Sequence, residues 1–297
     1  MFGFLNVYKP KGKTSHDVVA ILRRVTKVKQ IGHTGTLDPF AEGVLPICIG
    51  KATRLIEYLG NDKAYIGTIQ LGQATDTYDI DGKVTKTSNK EVTLDDIERT
   101  LENFRGDIEQ IPPIYSAIKV NGKKLYDYAR SGQDVDIQPR KVHIEELRIQ
   151  NFNKITNRLE LYVACSKGTY IRSIANDLGV KLGTFGHLIK LIRVKAGKFE
   201  LESSVNLNVL NSVEDVNNYL INPIEYLDYD RYELNSDELK KVINGMSIYL
   251  NDCNISFKSN YVILTFNNNL TAIGQIFERE IKCKKVLINP ILKEADQ

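Results

Sequence analysis

Hydrophobic periodicity constrains this chain more than any other feature. Short runs with strand character alternate irregularly with helix-spaced apolar stripes, and several of the strand-like runs meet at hairpin turns. A parallel doubly wound fold would need a regular alternation of the two, so the pattern predicts a mixed α+β sheet. Residues 2–8 read as a strand that stops at Lys9-Pro10-Lys11-Gly12, because proline cannot continue a ladder. Thr14 or Ser15 then caps a helix whose apolar stripe is Val18, Val19, Ile21, Leu22 and Val25. A short apolar run at 47–49, a helical stretch at 51–59 and a strand at 63–71 follow. The acidic residues Asp76, Asp79 and Asp81 with Gly82 read as a surface turn. Thr93 with Asp96 opens a helix that runs to about Phe104. Residues 118–120 form a strand ending in the turn dipeptide Asn121-Gly122, strands at 141–151 and 158–166 follow, and a helix spans 170–182. After Pro223 the pieces become shorter and more polar: a helix at 236–243, then hairpin-like strands at 261–266 and 271–277. A boundary near Asp230 divides the chain into 1–230 and 231–297.

Composition removes several classes of function. The chain has 297 residues, enough for a large domain and a small one, and no apolar run approaches the length that crosses a bilayer. Its first residues place apolar side chains before positive ones, the reverse of a secretory signal, so the protein is expected to be cytoplasmic. Cys48, Cys165, Cys253 and Cys283 lie far apart and form no CxxC pair; they read as reduced thiols packed in apolar strands. The net charge of +3 names no partner, but its distribution is uneven. Residues 1–30 carry seven basic side chains against Asp17 alone, and residues 181–198 carry five and no acid. Either run could be a solvated face; together they favour a polyanion as partner.

The segment with most chemical content is Gly32-His33-Thr34-Gly35-Thr36-Leu37-Asp38-Pro39-Phe40-Ala41-Glu42-Gly43-Val44-Leu45. It holds a carboxylate between glycine-permitted turns, fixed by a proline, with an imidazole five residues earlier. An Asp-Pro on a tight loop can simply make a turn, so the segment alone leaves the choice open. Two other chemistries are disfavoured. Gly12-Lys13-Thr14 resembles the end of a phosphate-binding loop, but the pattern requires glycine where Val7 stands. His16, His33, His143 and His187 show no metal-ligand spacing.

GHTGTLDPFAEGVL is similar to the active-site motif of the bacterial tRNA pseudouridine-55 synthases, the TruB family, and the likeness extends beyond it. Lys9-Pro10 with Gly12 resembles the family's N-terminal motif, Lys63-Ala64-Tyr65 its tyrosine strand, residues 105–130 its RNA-gripping insertion and residues 166–179 its arginine motif. Phe40 and Glu42 depart from it, standing where smaller or neutral residues are expected. The resemblance implies a pseudouridine synthase fold: a central mixed, mainly antiparallel sheet, an insertion at about 74–142, and a small β-rich, PUA-like RNA-binding domain at 231–297. It implies that Asp38 is the nucleophile, that Arg172 pairs with it and favours its charged form, and that Tyr65 stacks on the base and can move a proton. His33, Tyr170, Leu191, Lys9 and Pro10 are implied to bind substrate. The substrate would be a flipped-out uridine of the TΨC stem-loop of tRNA, position 55, with no membrane or protein partner required. Isomerisation needs neither redox step nor group donor, so no cofactor or metal is implied. Three alternatives stand beside this reading: a non-catalytic RNA-binding protein, a guide-dependent synthase, and a glycosidase. The first would lack the carboxylate, and the last needs a second one, for which Glu42 is the only nearby candidate.

Overall fold

The computed structural model describes residues 1–250 and 256–287. A ten-stranded sheet organises the first part of the chain. Its path runs Val205–Asn206, Gly3–Lys9, Glu42–Ile49, Gly186–Ala196, Lys63–Leu71, Arg158–Cys165, Arg140–Asn153 and Gly106–Gln110. Ile31–His33 and Phe199–Glu200 pair with Glu42–Ile49 and Gly186–Ala196, off this path. Two pairings are parallel, that of Gly3–Lys9 with Val205–Asn206 and that of Glu42–Ile49 with Gly186–Ala196; the others described are antiparallel. The sheet is therefore mixed and mainly antiparallel, as expected.

Local signals explain most elements. Thr14 caps the helix Ser15–Thr26 with a reciprocal capping box to Asp17, and Thr93 does the same with Asp96 for Leu94–Leu101. Asn121 and Gly122 both take positive φ, which lets Lys119–Val120 turn directly onto Lys123–Lys124. The central strand Gly186–Ala196 has no counterpart among the sequence expectations. It is flanked on both sides in the sheet, and its lysines and arginine break the apolar run that marks a buried strand. The apolar run at 47–49 proves to be the end of an eight-residue strand, and the helical stretch after it is a 3-10 helix, Gly50–Tyr58. The helix Ile171–Leu182 lies close on the sheet because Gly179 has no side chain: a Cβ there would sit 2.2 Å from the main chain of Phe185 and Gly186.

A second sheet of five strands runs Asp230–Glu233, Tyr261–Phe266, Asn269–Phe277, Glu280–Val286, Ile248–Tyr249. Alternation along Tyr261–Phe266 divides its side chains between two cores. Val262 and Leu264 pack with Val242, Ile248 and Ile281. Ile263 faces the other way, joining Leu270, Ile273 and Leu287 in one cluster with Phe4, Cys48, Leu55, Tyr58 and Phe199 of the first part. Tyr58, Tyr229 and Tyr261 meet edge to face, with ring centroids 5.3–6.3 Å apart. Arg54 donates to the Val286 carbonyl at 2.7 Å and Lys285 pairs with Glu57 at 2.8 Å. Cys48 and Cys165 are buried free thiols and Cys283 is half-buried; Cys253 lies outside the described residues. Among the described residues no helix is long and apolar enough to cross a membrane.

Candidate active site

Asp38 lies on the loop between Ile31–His33 and Glu42–Ile49, and neighbouring groups hold that loop at several points. Ser15 Oγ accepts from the Leu37 amide at 2.9 Å and donates to the Leu37 carbonyl at 3.2 Å. The Pro39 carbonyl accepts from the Gly12 amide at 2.8 Å, and the Ala41 amide donates to the Asp38 carbonyl at 3.1 Å. Phe40 is buried in the main core, while the Glu42 carboxylate meets the Tyr8 hydroxyl. Burial, with that carboxylate second, pushes the Tyr8 pKa up to about 12.

The loop delivers Asp38 to Arg172, the second residue of the helix Ile171–Leu182, whose N-cap is Tyr170. No side chain of the cap residue closes that helix end. Instead the buried Gln110 carboxamide donates to the Tyr170 carbonyl at 3.0 Å and accepts from the Tyr170 amide at 2.7 Å. Arg172 Nε lies 2.9 Å from Asp38 Oδ2 as an ion contact and Nη2 donates to Oδ1 at 3.3 Å, a two-point pairing of which the second point is a hydrogen bond. Nη1 lies 3.3 Å from Asp79 Oδ2, and the Thr77 and Tyr115 carbonyls accept from the same guanidinium at 3.2 and 3.0 Å. The arginine side chain is 5% exposed, Asp79 7% and Asp38 33%, so the carboxylate that remains open is Asp38. Burial raises the Asp79 pKa, outweighing the Thr77 hydroxyl and Arg172, which act the other way.

Asp38, Tyr65, Tyr170, Arg172 and Leu191 line one cavity of about 700 Å³. Tyr65 and Leu191 stand on the two central strands, where Tyr65 is paired with Arg193 and Gly67 with Leu191. Burial raises the Tyr65 pKa, keeping the phenol protonated, and lowers that of Lys63 on the same wall. The arrangement offers a carboxylate at the mouth of a largely apolar slot, a phenol beside it, and a guanidinium that stabilises the charge. It can act on a flat, uncharged ring joined to a polar group.

His33, Lys9 and Pro10 are not among the cavity's lining residues. Lys9 is fully buried; its ammonium donates to the carbonyls of Lys13 at 2.5 Å, Pro10 at 3.0 Å and Pro39 at 3.4 Å, so it grips the main chain next to Asp38. Burial lowers its pKa to about 8. His33 is half-buried, and burial followed by the Arg193 charge lowers its pKa, which favours the neutral ring. Sequence reasoning missed Asp79, placed in a surface turn, and Gln110. It also counted Lys9 and Arg193 in the two basic runs, but neither exposes any surface. A charged residue flanked by apolar ones, as in Leu191-Ile192-Arg193-Val194, was the available signal.

The family model described as TruB family pseudouridylate synthase (N terminal domain) matches residues 23–171, and that of the tRNA pseudouridylate synthase B C-terminal domain matches 172–246. The tRNA pseudouridine synthase B of Clostridium novyi (strain NT) is 41% identical over 292 residues, covering 97% of this chain and 100% of that protein. The protein of the same description from Staphylococcus aureus (strain JH9) is 42% identical over 301 residues, covering 96% and 98%. Among solved structures, a chain of an H/ACA RNP bound to a substrate RNA containing 2'-deoxyuridine superposes with a TM-score of 0.72 at 21% identity, covering 97% of this chain and 86% of that one. A chain of an archaeal box H/ACA sRNP Nop10-Cbf5 complex gives 0.70 at 22%, covering 96% and 86%. These two likenesses concern the fold.

Proposed function

The chain belongs to the TruB family of pseudouridine synthases, and on that premise we propose that it converts the uridine at position 55, in the TΨC loop of tRNA, to pseudouridine with Asp38 as nucleophile. It is an enzyme, an isomerase that makes pseudouridine from uridine in tRNA. The observation that carries the finer reading is the two-point pairing of Arg172 with an Asp38 still one-third open on the cavity.

In this reading the target uridine leaves its stack and enters the slot between Tyr65 and Leu191, at a cost of a few kcal/mol. Asp38 initiates breakage of the bond between N1 and the ribose C1'. The freed uracil turns and rejoins through C5, whose proton then departs while N1 gains one, so atoms balance without any co-reactant. Arg172 stabilises the carboxylate whenever it carries the charge, and Tyr65 stands ready to handle the C5 proton. The insertion at 74–142 grips the RNA; its Lys123 over Tyr128 and Arg130 over Tyr126 suit phosphates beside stacked bases. Residues 231–297 serve as a PUA-like module for a distant part of the tRNA, for which the exposed Phe277 under Lys282 and Lys284 is suited. Free tRNA suffices as substrate, with no protein partner, as fits an enzyme of the cytoplasm.

The test is to incubate the purified protein with unmodified tRNA and to map pseudouridine by position. Modification at position 55 alone, without added protein or guide RNA, is expected. Modification elsewhere would overturn the assigned position, and activity only in the presence of a guide would replace this reading with a guide-dependent one.

A further inference from the structure

Arg193 is the second buried arginine of this site, and the mechanism above gives it no task. It lies on the central strand Gly186–Ala196, paired with Tyr65 on one side and Gly43 on the other, and exposes no surface. Unlike Arg172, it forms no ion pair among the described residues. Each guanidinium nitrogen instead donates to a main-chain carbonyl: Nε to Val44 at 2.7 Å, Nη2 to Gly35 at 3.1 Å and Nη1 to Thr36 at 3.3 Å. Gly35 and Thr36 precede Asp38 on its loop, and Val44 follows the loop on the strand Glu42–Ile49. One planar group therefore joins both limbs of that loop. The fit extends to Gly43, whose φ is +107° and where a Cβ would stand 2.3 Å from the Arg193 carbonyl oxygen, so only glycine allows this approach.

A buried guanidinium without a carboxylate is a costly way to satisfy three carbonyls, and stability alone does not account for it. We propose that Arg193 is a positioning residue: by clamping Gly35, Thr36 and Val44 it sets the loop so that Asp38 meets the reacting carbon at the correct distance. This rests on the assignment of Asp38 as nucleophile. Arginine is required because its three nitrogens point in three directions in one plane, whereas the single ammonium of lysine cannot hold both limbs. The charge also lies against the Tyr65 hydroxyl, so the same side chain braces the two groups nearest the chemistry.

The experiment uses Arg193→Lys in the full chain, with enzyme in excess over tRNA so that the observed rate reports folded protein only. The expected result is tRNA affinity within about threefold of wild type and a single-turnover rate about a hundredfold lower, the scale on which a misplacement near 1 Å acts. A purely structural role predicts a lower melting temperature and an unchanged rate in the folded fraction, which would overturn the proposal. Gly43→Ala, which keeps the guanidinium but presses on its main chain, serves if the lysine variant does not fold; it should show the same split between rate and affinity, and a wild-type rate there would equally overturn the role. If wild type itself makes no pseudouridine in tRNA, the functional reading falls. If wild type is active and Arg193→Lys keeps pace with it, only the positioning role falls.

Discussion

The Asp38 site and the junction between the two sheets are both well buried, yet they are built from opposite materials. At the site, the side chains of Arg172, Lys9 and Arg193 are removed from water and satisfied by carboxylates or main-chain carbonyls, and that of Asp79 by Arg172, the Thr77 hydroxyl and the Asp81 amide. At the junction, Ile263, Ile273, Leu55 and Phe4 pack against a tyrosine triad, with charges only at its rim. Buried charge is costly to hold and gives direction; apolar packing is favourable and gives cohesion. The two regions should therefore fail differently, the first in rate and the second in stability.

Asp38→Asn should give the largest effect. Turnover should fall by at least about 10⁴-fold, or roughly 5.5 kcal/mol of barrier, while tRNA affinity moves by less than about tenfold. Melting should shift modestly, because Arg172 keeps Asp79 as counter-ion. Single-turnover assays and filter binding measure the split; pseudouridine formed at the wild-type rate would refute the nucleophile. Ile263→Ala, at the junction, should cost about 2–5 kcal/mol of stability and leave the rate of the folded enzyme within about twofold. Chemical denaturation checks the first number. A rate that collapsed while the protein remained folded would show that the junction shapes the site and would break the comparison.

Asp79→Asn comes next, since it leaves Arg172 with one carboxylate and frees it to drift. A rate loss of about tenfold, near 1.4 kcal/mol, is expected at unchanged tRNA affinity. The smallest effect is in pH dependence. Burial pushes the Cys48 thiol up to about 12 and Cys165 up to about 11. The folded state thus keeps protons that the unfolded state sheds above pH 9, so each thiol's contribution is intact below pH 9 and is lost as pH rises toward 11–12, at about 1.4 kcal/mol per pH unit. Cys48→Ala should flatten the alkaline decline in stability between pH 9 and 11, as read by melting curves across that range. The same decline in the variant would place its origin elsewhere.

Legibility divided along the same line. Elements with local signatures could be read from the chain: the capping boxes of Thr14 and Thr93, the Asn121-Gly122 turn and the strand Lys63–Leu71. The motif around Asp38 and the arginine at 172 were legible through the family resemblance that their residues carry, whereas the Asp38 segment read alone left a simple turn open. The strand Gly186–Ala196 and the residues that depend on it were not. Its sequence looks half-exposed because His187 and Arg193 spend polar positions on internal bonds while Lys190 and Lys195 keep exposed surface, and Arg193 was counted as a surface charge.

The sequence by itself determined most of the helices and strands outside Gly186–Ala196, several of the turns between them, and which carboxylate stands on a constrained loop, since each is decided by side chains within a few residues of one another. Tertiary structure alone decided that Asp79 turns inward to share Arg172, that Gln110 closes a helix sixty residues away, and that Lys9 and Arg193 hold the loop from within. Those are contacts between segments brought together by the sheet. Whether a charge meets water or a carbonyl depends on what packs over it, and local sequence does not record that.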